Sequence, residues 1–507
     1  MTRLAWFLSF WTGFTSLSEE ILWVRIVSFA SDGTPQAFAL VLTAFLGGIA
    51  LGALSGKRLS EKGKATPGTA AWLLLIAGFQ LMLLPAFIAA AHETPAATFW
   101  FLLLILFGSA VKGMLFPIVH HLGSPHGDTV GRSVSRTYFC NILGATTGPL
   151  FTGLFLLDRF SSGTNLQILG ILCLIGAMLP LAHLVRTAKI RAALSPFFVG
   201  VLGLASFPYL QSSGSMLIHE LATAGEGTIR VLIENRHGIV HSVAGLGRDD
   251  IVYGGNVYDG NTNIDLANNS NLIDRAYLLY GLHPEPRRVL VIGLSSGAWT
   301  RVVTAMPSVE KIDVVEINPG YIEMIRAYPQ LSPLLDDPRI EIHIDDGRRW
   351  LRRSHEKFDL IVMNTTFHWR ANITNLLSVE MMERVRESLA PKGIFAFNTT
   401  SSDDAFYTAA QAFPFAYRFR NFVYAAKHDF RDQVPSIKER LRKMRLDGQA
   451  VLTDNPATEQ SLDSLAAVEL IEPRKIVDRS RRPLVTITDQ NMITEFRFGR
   501  WSGDASK

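Results

Sequence analysis

The run RVLVIGLSSGAWTRVV, residues 288–303, reads as a buried strand, a glycine turn and the start of a helix. A turn of this kind brings backbone N–H groups against a ligand. Gly293 and Gly297, with Ser295 and Ser296 between them, leave room for the close approach. Nineteen residues after Gly297 the next strand ends in Glu316, where an acid accepts hydrogen bonds from ribose hydroxyls. A third strand ends in DDGRRW, and Asp345 or Asp346 there has the chemistry to accept a bond from an adenine amino group. The same acids can instead cap the helices that follow their strands. The sequence leaves both readings open.

A second cluster lies in NTTFHWRANITNLLS, again just past a strand. His368 has the type to act as a base near neutral pH. Arg370 can hold a carboxylate or phosphate through its planar fork, and Trp369 can stack on a ring or a cation. Packing of this loop is the competing use of all three. An Arg370 that faced substrate would suit an anionic acceptor better than a polycation. Near the C-terminus, VLTDNPATE and VTITDQNMITEF place Asp454, Asp489 and Glu495 either in an acidic extension of the pocket or in structural turns. The histidines and acids show no zinc or calcium ligand spacing, so no metal is expected.

These residues need a scaffold, and the apolar patterning supplies one. RVLVIG, KIDVVEIN, RIEIHIDD, FDLIVMN and GIFAFNTT are apolar runs suited to parallel strands, and helical stretches separate most of them. That alternation predicts a doubly wound, Rossmann-like sheet of the methyltransferase type over 271–450, with ligands at the carboxyl ends of its strands. Before it, TIRVLIEN, GIVHSVAGL and DIVYGGNVY predict a small antiparallel β-unit within 212–270. A C-terminal segment, 451–507, is expected to pack on the α/β domain.

Residues 1–211 differ in kind. The chain of 507 residues is 48% hydrophobic, and the excess sits in this first part. Stretches at about 4–30, 36–56, 69–91, 97–118, 137–157, 165–185 and 194–211 approach the ~20 apolar residues that span a bilayer, the last being short enough to lie in the interface. A membrane domain of six to seven helices is therefore expected, with the lipid bilayer as a partner. Lys57, Arg58, Lys62, Lys64, Arg132, Arg136, Arg186, Lys189 and Arg191 fall in alternate loops, which predicts a cytoplasmic N-terminus. The side on which the second half emerges depends on whether the seventh stretch spans. Gly48, Gly52 and Gly56, and Gly144 with Gly148, recur four apart and let helices approach closely, within one bundle or across a homodimer. Glu19, Glu20, Arg25 and Lys112 lie inside expected spans, where charge is either paired or functional. A net charge of +4 does not point to nucleic acid, and two cysteines in apolar segments do not suggest disulfides.

The order β-unit, VLVIG, VVEIN, IDDG, FDLIVMN resembles the spermidine synthase family, the polyamine aminopropyltransferases. LSEEILWVRIVSF, AFLGGIALGALSGKRL and NILGATTGPLFTG look like the membrane domain of its fused, multi-pass bacterial members, which implies a bacterial inner membrane. The resemblance implies transfer of an aminopropyl group from decarboxylated S-adenosylmethionine to a small amine, with Glu316 on the ribose and Asp346 on the adenine. It carries the family's amine-pocket tyrosine onto Tyr277 and an accompanying acid onto Asp274. The chain departs from the pattern twice. GLSSGA lacks the aspartate of the family's GGGDGG turn. NTTFH puts Asn364 and Phe367 where the family has an Asp-x-x-Asp pair, whose first acid helps the amine lose its proton. Methyl transfer from intact S-adenosylmethionine needs no such pair. A non-catalytic, nucleoside-sensing or docking module is the alternative outside enzymes.

Overall fold

The computed structural model describes residues 1–123, 130–187, 189–222, 227–245, 247, 249–364 and 366–496. The chain divides into two compact units, one helical and one built on β-sheets.

The helical unit holds seven long helices: α1 (Thr2–Ala30), α2 (Pro35–Glu61), α3 (Pro67–His92), α4 (Ala97–Gly123), α5 (Val130–Phe151), α6 (Ser162–Arg186) and α7 (Ile190–Leu221). Among the described residues six are long and apolar enough to cross a membrane, with α5 counted together with its continuation to Leu156. Helix α1 is the exception, because Glu19, Glu20 and Arg25 dilute its apolar content. The seventh stretch is longer than its apolar run suggests. It is a 32-residue helix that absorbs Pro196 and Pro208 and runs past the expected boundary at 211.

Two of the charges within this unit are paired. Lys112 on α4 forms an ion pair with Glu19 on α1, and both side chains are buried. Lys112 also donates to the Thr15 carbonyl at 3.1 Å, and the Trp23 indole donates to Glu19 at 3.2 Å. The glycine series serves intramolecular packing. A Cβ at Gly52 would lie 2.1 Å from the Ala110 carbonyl oxygen, and one at Gly144 would lie 1.9 Å from that of Phe10. Only glycine permits these helix approaches.

The second unit opens with a four-stranded meander of β1 (Ile229–Asn235), β2 (Gly238–Val243), β3 (Ile251–Gly254) and β4 (Val257–Asn261). Helix α8 (Asp274–Leu282) leads into β5 (Arg288–Ile292), α9 (Ala298–Thr304), β6 (Lys311–Glu316), α10 (Gly320–Arg326), β7 (Ile340–Ile344), α11 (Gly347–Arg353) and β8 (Phe358–Met363). After α12 (Thr374–Leu377) and α13 (Val379–Ser388) come β9 (Leu389–Asn398), α14 (Asp403–Ala412), β10 (Phe415–Phe419) and β11 (Phe422–Ala426). The sheet order is β10-β11-β9-β8-β5-β6-β7, parallel from β9 to β7, with β10 and β11 as an antiparallel edge. This is the Rossmann-like, methyltransferase-type α/β fold, and the helical domain and β-unit precede it as expected.

Strand β5 shows why the sequence chooses this sheet. Val289, Leu290, Val291 and Ile292 are all buried, alternately in the two cores on either face. Each such side chain contributes roughly 1.5–3 kcal/mol by leaving water. Strand order reverses at β5, which is flanked by β6 and β8. That switch point opens a crevice at the strands' carboxyl ends. Of the C-terminal segment 451–507, residues 497–507 lie outside the described residues, as do 223–226, 246 and 248 of the β-unit region.

Candidate functional site

Two cavities lie at the carboxyl ends of β5, β6 and β8. One, about 220 Å³, is lined by Gly293, Ser295, Glu316, Tyr321, Asp345, Asp346 and Arg370, among others. Its neighbour, about 250 Å³, is lined by Tyr258, Asn271, Arg275, Asn398, Thr400 and Asn421, among others. Asp259, Asn364 and Thr366 line both, so the cavities share one wall.

The first cavity is shaped by the turn after β5. Gly293 has φ +88°, and a Cβ there would stand 3.0 Å from the Asn364 carbonyl oxygen, so glycine answers both a backbone and a spatial demand. Ser295 follows with φ +50° and donates its hydroxyl to the Asp259 carbonyl at 2.5 Å, tying the turn to β4. Ser296 and Gly297 do not line either cavity. Ser296 accepts from the Ala298 N–H, and Gly297, φ +83°, packs where a Cβ would meet Ile325 and Leu334.

Glu316 ends β6 and is buried. One carboxylate oxygen accepts the Leu294 N–H at 2.7 Å and the other the Asn318 N–H at 2.8 Å. Each oxygen keeps further lone-pair capacity. Burial pushes this carboxyl up to about 7, against the Asn318, Leu294 and Ile317 N–H groups and with help from the Asp259 charge. Asp346 caps α11 by accepting the Arg349 N–H at 2.7 Å, and Asp345 accepts the Arg349 guanidinium and the Asp346 N–H. Capping and cavity lining are therefore not alternatives at Asp346, which does both, while Asp345 lines the cavity without capping the helix.

The sequence reading missed the residue at the centre. Asp259 on β4 opens onto both cavities, and the protein packed around it pushes its carboxyl up to about 6. The Tyr321 hydroxyl donates to it at 2.6 Å, and the Arg370 charge opposes the burial effect. Two glycines make room for these partners. A Cβ at Gly254 would fall 2.2 Å from the Tyr321 hydroxyl, and one at Gly255 2.5 Å from the Arg370 guanidinium. Arg370 itself donates to the Gly254 carbonyl at 3.0 Å and to Thr366 at 2.9 Å.

Asn364 follows β8 at the shared wall, and its amide is oriented by a chain of bonds. Arg275 donates to the Asn421 amide oxygen at 2.7 Å. Asn421 donates to the Asn398 oxygen at 2.9 Å, and Asn398 donates to the Asn364 oxygen at 3.4 Å. The Thr400 N–H also donates to the Asn398 oxygen, at 2.8 Å.

Four expected site residues lie elsewhere. Asp274 is in the first turn of α8 and pairs with Arg420, Nη2 to carboxylate 2.8 Å. Tyr277 faces the core and donates to the Ile264 carbonyl at 2.8 Å, with burial holding its hydroxyl well above the usual tyrosine range. The His368 ring bonds Thr400 at 2.9 Å, and burial lowers its basicity. Trp369 stacks on Phe367 with ring centroids 5.3 Å apart. The bend after β8 turns His368 and Trp369 away while leaving Asn364, Thr366 and Arg370 at the cavities. The three C-terminal acids are structural: Asp489 pairs with Arg348, Asp454 with Arg442, and Glu495 accepts the Asn372 and Thr374 N–H groups. Asp313, Glu341 and His343 converge at the β6–β7 edge, where Lys311 already supplies a cation 3.0 Å from Glu341.

Residues 277–411 match the spermine/spermidine synthase domain. The chain is 36% identical over 120 residues to the polyamine aminopropyltransferase of Desulforudis audaxviator, covering 24% of this chain and 43% of that protein. It is 35% identical over 138 residues to that of Thermotoga maritima, covering 27% and 45%. The chain thus spans less than half the length of these curated relatives. Among solved structures, spermidine synthase in complex with the transition-state analogue AdoDATO aligns at 21% identity and TM-score 0.39, over 48% of this chain and 85% of that one. Spermidine synthase from Thermotoga maritima aligns at 22% and 0.38, over 48% and 84%. The match follows the chain from α8 through the β5 turn, Glu316, the Asp345–Asp346 pair and Asn364 into α14, and over that span the α/β unit is similar to the spermine/spermidine synthase domain.

Proposed function

We propose that the α/β unit transfers an aminopropyl group from a sulfonium nucleoside, decarboxylated S-adenosylmethionine, to an amine. The observation that carries this reading is the shared wall: two cavities at the switch point, joined at Asp259, Asn364 and Thr366. The nucleoside would occupy the cavity lined by Gly293, Glu316, Asp345 and Asp346. Its ribose hydroxyls would donate to the free lone pairs of Glu316 and its adenine amine to Asp346 or Asp345. The acceptor would occupy the Tyr258–Asn398 cavity, with its nitrogen facing the sulfonium-bearing carbon across the wall. Holding both partners in line supplies the larger part of such a displacement, because the sulfonium is already a good leaving group.

The helical unit would hold the protein in the bilayer, and activity would be membrane-bound. The test uses the full chain purified in detergent, given the decarboxylated donor and an amine. Methylthioadenosine among the products supports the reading. Methyl transfer from intact S-adenosylmethionine is favoured by the amide at Asn364, since that reaction needs no carboxylate there. Release of S-adenosylhomocysteine would identify it.

A further inference from the structure

We propose that the acceptor cavity selects an amine carrying a neutral hydrogen-bond-accepting oxygen, with the amine at Asp259 and the oxygen at Asn364, in place of an α,ω-diamine. This rests on the transferase reading above and specifies the acceptor of that same site.

The argument starts from the amide chain. Arg275 has only donors, so the Asn421 oxygen must face it and the Asn421 NH₂ must face Asn398. The Thr400 N–H fixes Asn398 the same way round, independently of Arg275. Asn398 therefore presents its NH₂ to the Asn364 oxygen. The chain runs in one direction and ends with the Asn364 NH₂ at the cavity wall. A carboxylate at this position would accept from an ammonium group. The oriented amide donates instead, and its partner must be a lone pair.

The charge of the cavity agrees. Among its described lining residues Asp259 is the one carboxylate and Arg275 the one cation. Arg275 is held by bonds to Leu272, Asn271 and Asn421 and lies over the Phe422 ring at 4.7 Å, so it remains charged and fixed. The rest of the wall is amides, hydroxyls, Phe367 and Leu272. A diamine would bring two ammonium groups to one carboxylate, with the second facing amide N–H donors and a guanidinium. An amino alcohol or amino amide brings one ammonium and one acceptor, which the wall matches.

The step balances. The acceptor's ammonium passes a proton to the Asp259 carboxylate. The freed nitrogen lone pair forms a bond to the methylene next to the sulfonium. The carbon–sulfur bond breaks with its electron pair moving to sulfur, giving a neutral thioether nucleoside and a secondary ammonium product. Asp259 sits where this transfer is short, and the Tyr321 hydroxyl holds it in place.

The test is equilibrium binding to the full chain in detergent at about pH 8, where Asp259 is ionised, with and without saturating thioether nucleoside. The probes are an α,ω-diamine and the amino alcohol in which one of its amines is replaced by a hydroxyl. Wild type is expected to bind the amino alcohol at least about tenfold more tightly. Asn364→Asp is expected to reverse that order, and Asp259→Asn to lose both amines while keeping its melting temperature. Equal or tighter diamine binding by wild type overturns the proposal. So does an Asn364→Asp protein that gains nothing for the diamine, or a wild type that binds neither amine. Failure to bind the nucleoside, with the amine order intact, would instead remove the transferase reading alone.

Discussion

Glu316→Gln perturbs the nucleoside cavity with a change of only one atom. In the native protein both carboxylate oxygens are already engaged, by the Leu294 and Asn318 N–H groups at 2.7 and 2.8 Å, and each would take one ribose hydroxyl with its remaining capacity. Glutamine has one oxygen and one NH₂, so one backbone N–H must face another donor, and one hydroxyl loses its acceptor. The other hydroxyl trades a charged acceptor for a neutral one. Hydrogen bonds to charged groups are worth about 1.5–3 kcal/mol net. Losing one and weakening the second should cost nucleoside binding ~2–3 kcal/mol, roughly 30- to 150-fold in Kd. Calorimetric titration of the thioether nucleoside measures this directly. A second signature separates ligand binding from mere support of the turn. Because the native carboxyl sits at about 7, wild-type affinity should rise as pH increases from 6 to 8. The variant should lack that contribution. A variant that binds within threefold of wild type, or keeps the same pH slope, would refute the assignment of Glu316 to the nucleoside.

The raised carboxyl also predicts how stability depends on pH. Glu316 ionises near 4.5 when unfolded and about 7 when folded, so the native state holds a proton that the unfolded chain has released. Its contribution is complete below 4.5 and is lost as pH climbs through about 7; at about 1.4 kcal/mol per pH unit the span amounts to ~3 kcal/mol. Thermal unfolding of the ligand-free protein should show this slope, and Glu316→Gln should flatten it. Tyr277→Phe removes a buried bond to the Ile264 carbonyl and should cost about 1 kcal/mol of stability, with nucleoside and amine affinities unchanged. A loss of amine binding would return Tyr277 to the acceptor site. Lys112→Met strands the buried Glu19 carboxylate and should destabilise the helical unit by ~3–5 kcal/mol, while adding Glu19→Leu should recover most of the loss. Melting in detergent compares the two variants.

The β5 strand, the Gly293 turn and Glu316 were legible because each declares itself locally, through an unbroken apolar run, a glycine at a bend and an acid at a strand end. Asp259 was not, although a weaker signal existed. Period-two alternation puts it on the same face of β4 as buried Val257, and an acid on a buried face asks for an explanation. Gly254 and Gly255 also clear space for Tyr321 and Arg370, which are distant in sequence, and nothing local announces that role. Tyr277 and Asp274 were placed by analogy alone, and the packing of α8 against the core decides their orientation. In the helical unit, apolar content cut the seventh helix short at 211, because the polar run QSSGS continues the helix without continuing the hydropathy.

The wall that the two cavities have in common also governs the order of events. Asp259, Asn364 and Thr366 line both cavities, so direct transfer between the proposed donor and acceptor would require both to be bound together. The enzyme would then have no resting form that carries the transferred group by itself. Initial-rate plots against either reactant should intersect, not run parallel. The thioether left behind would compete with the next donor and, while bound, leave the acceptor side open to form a dead-end complex.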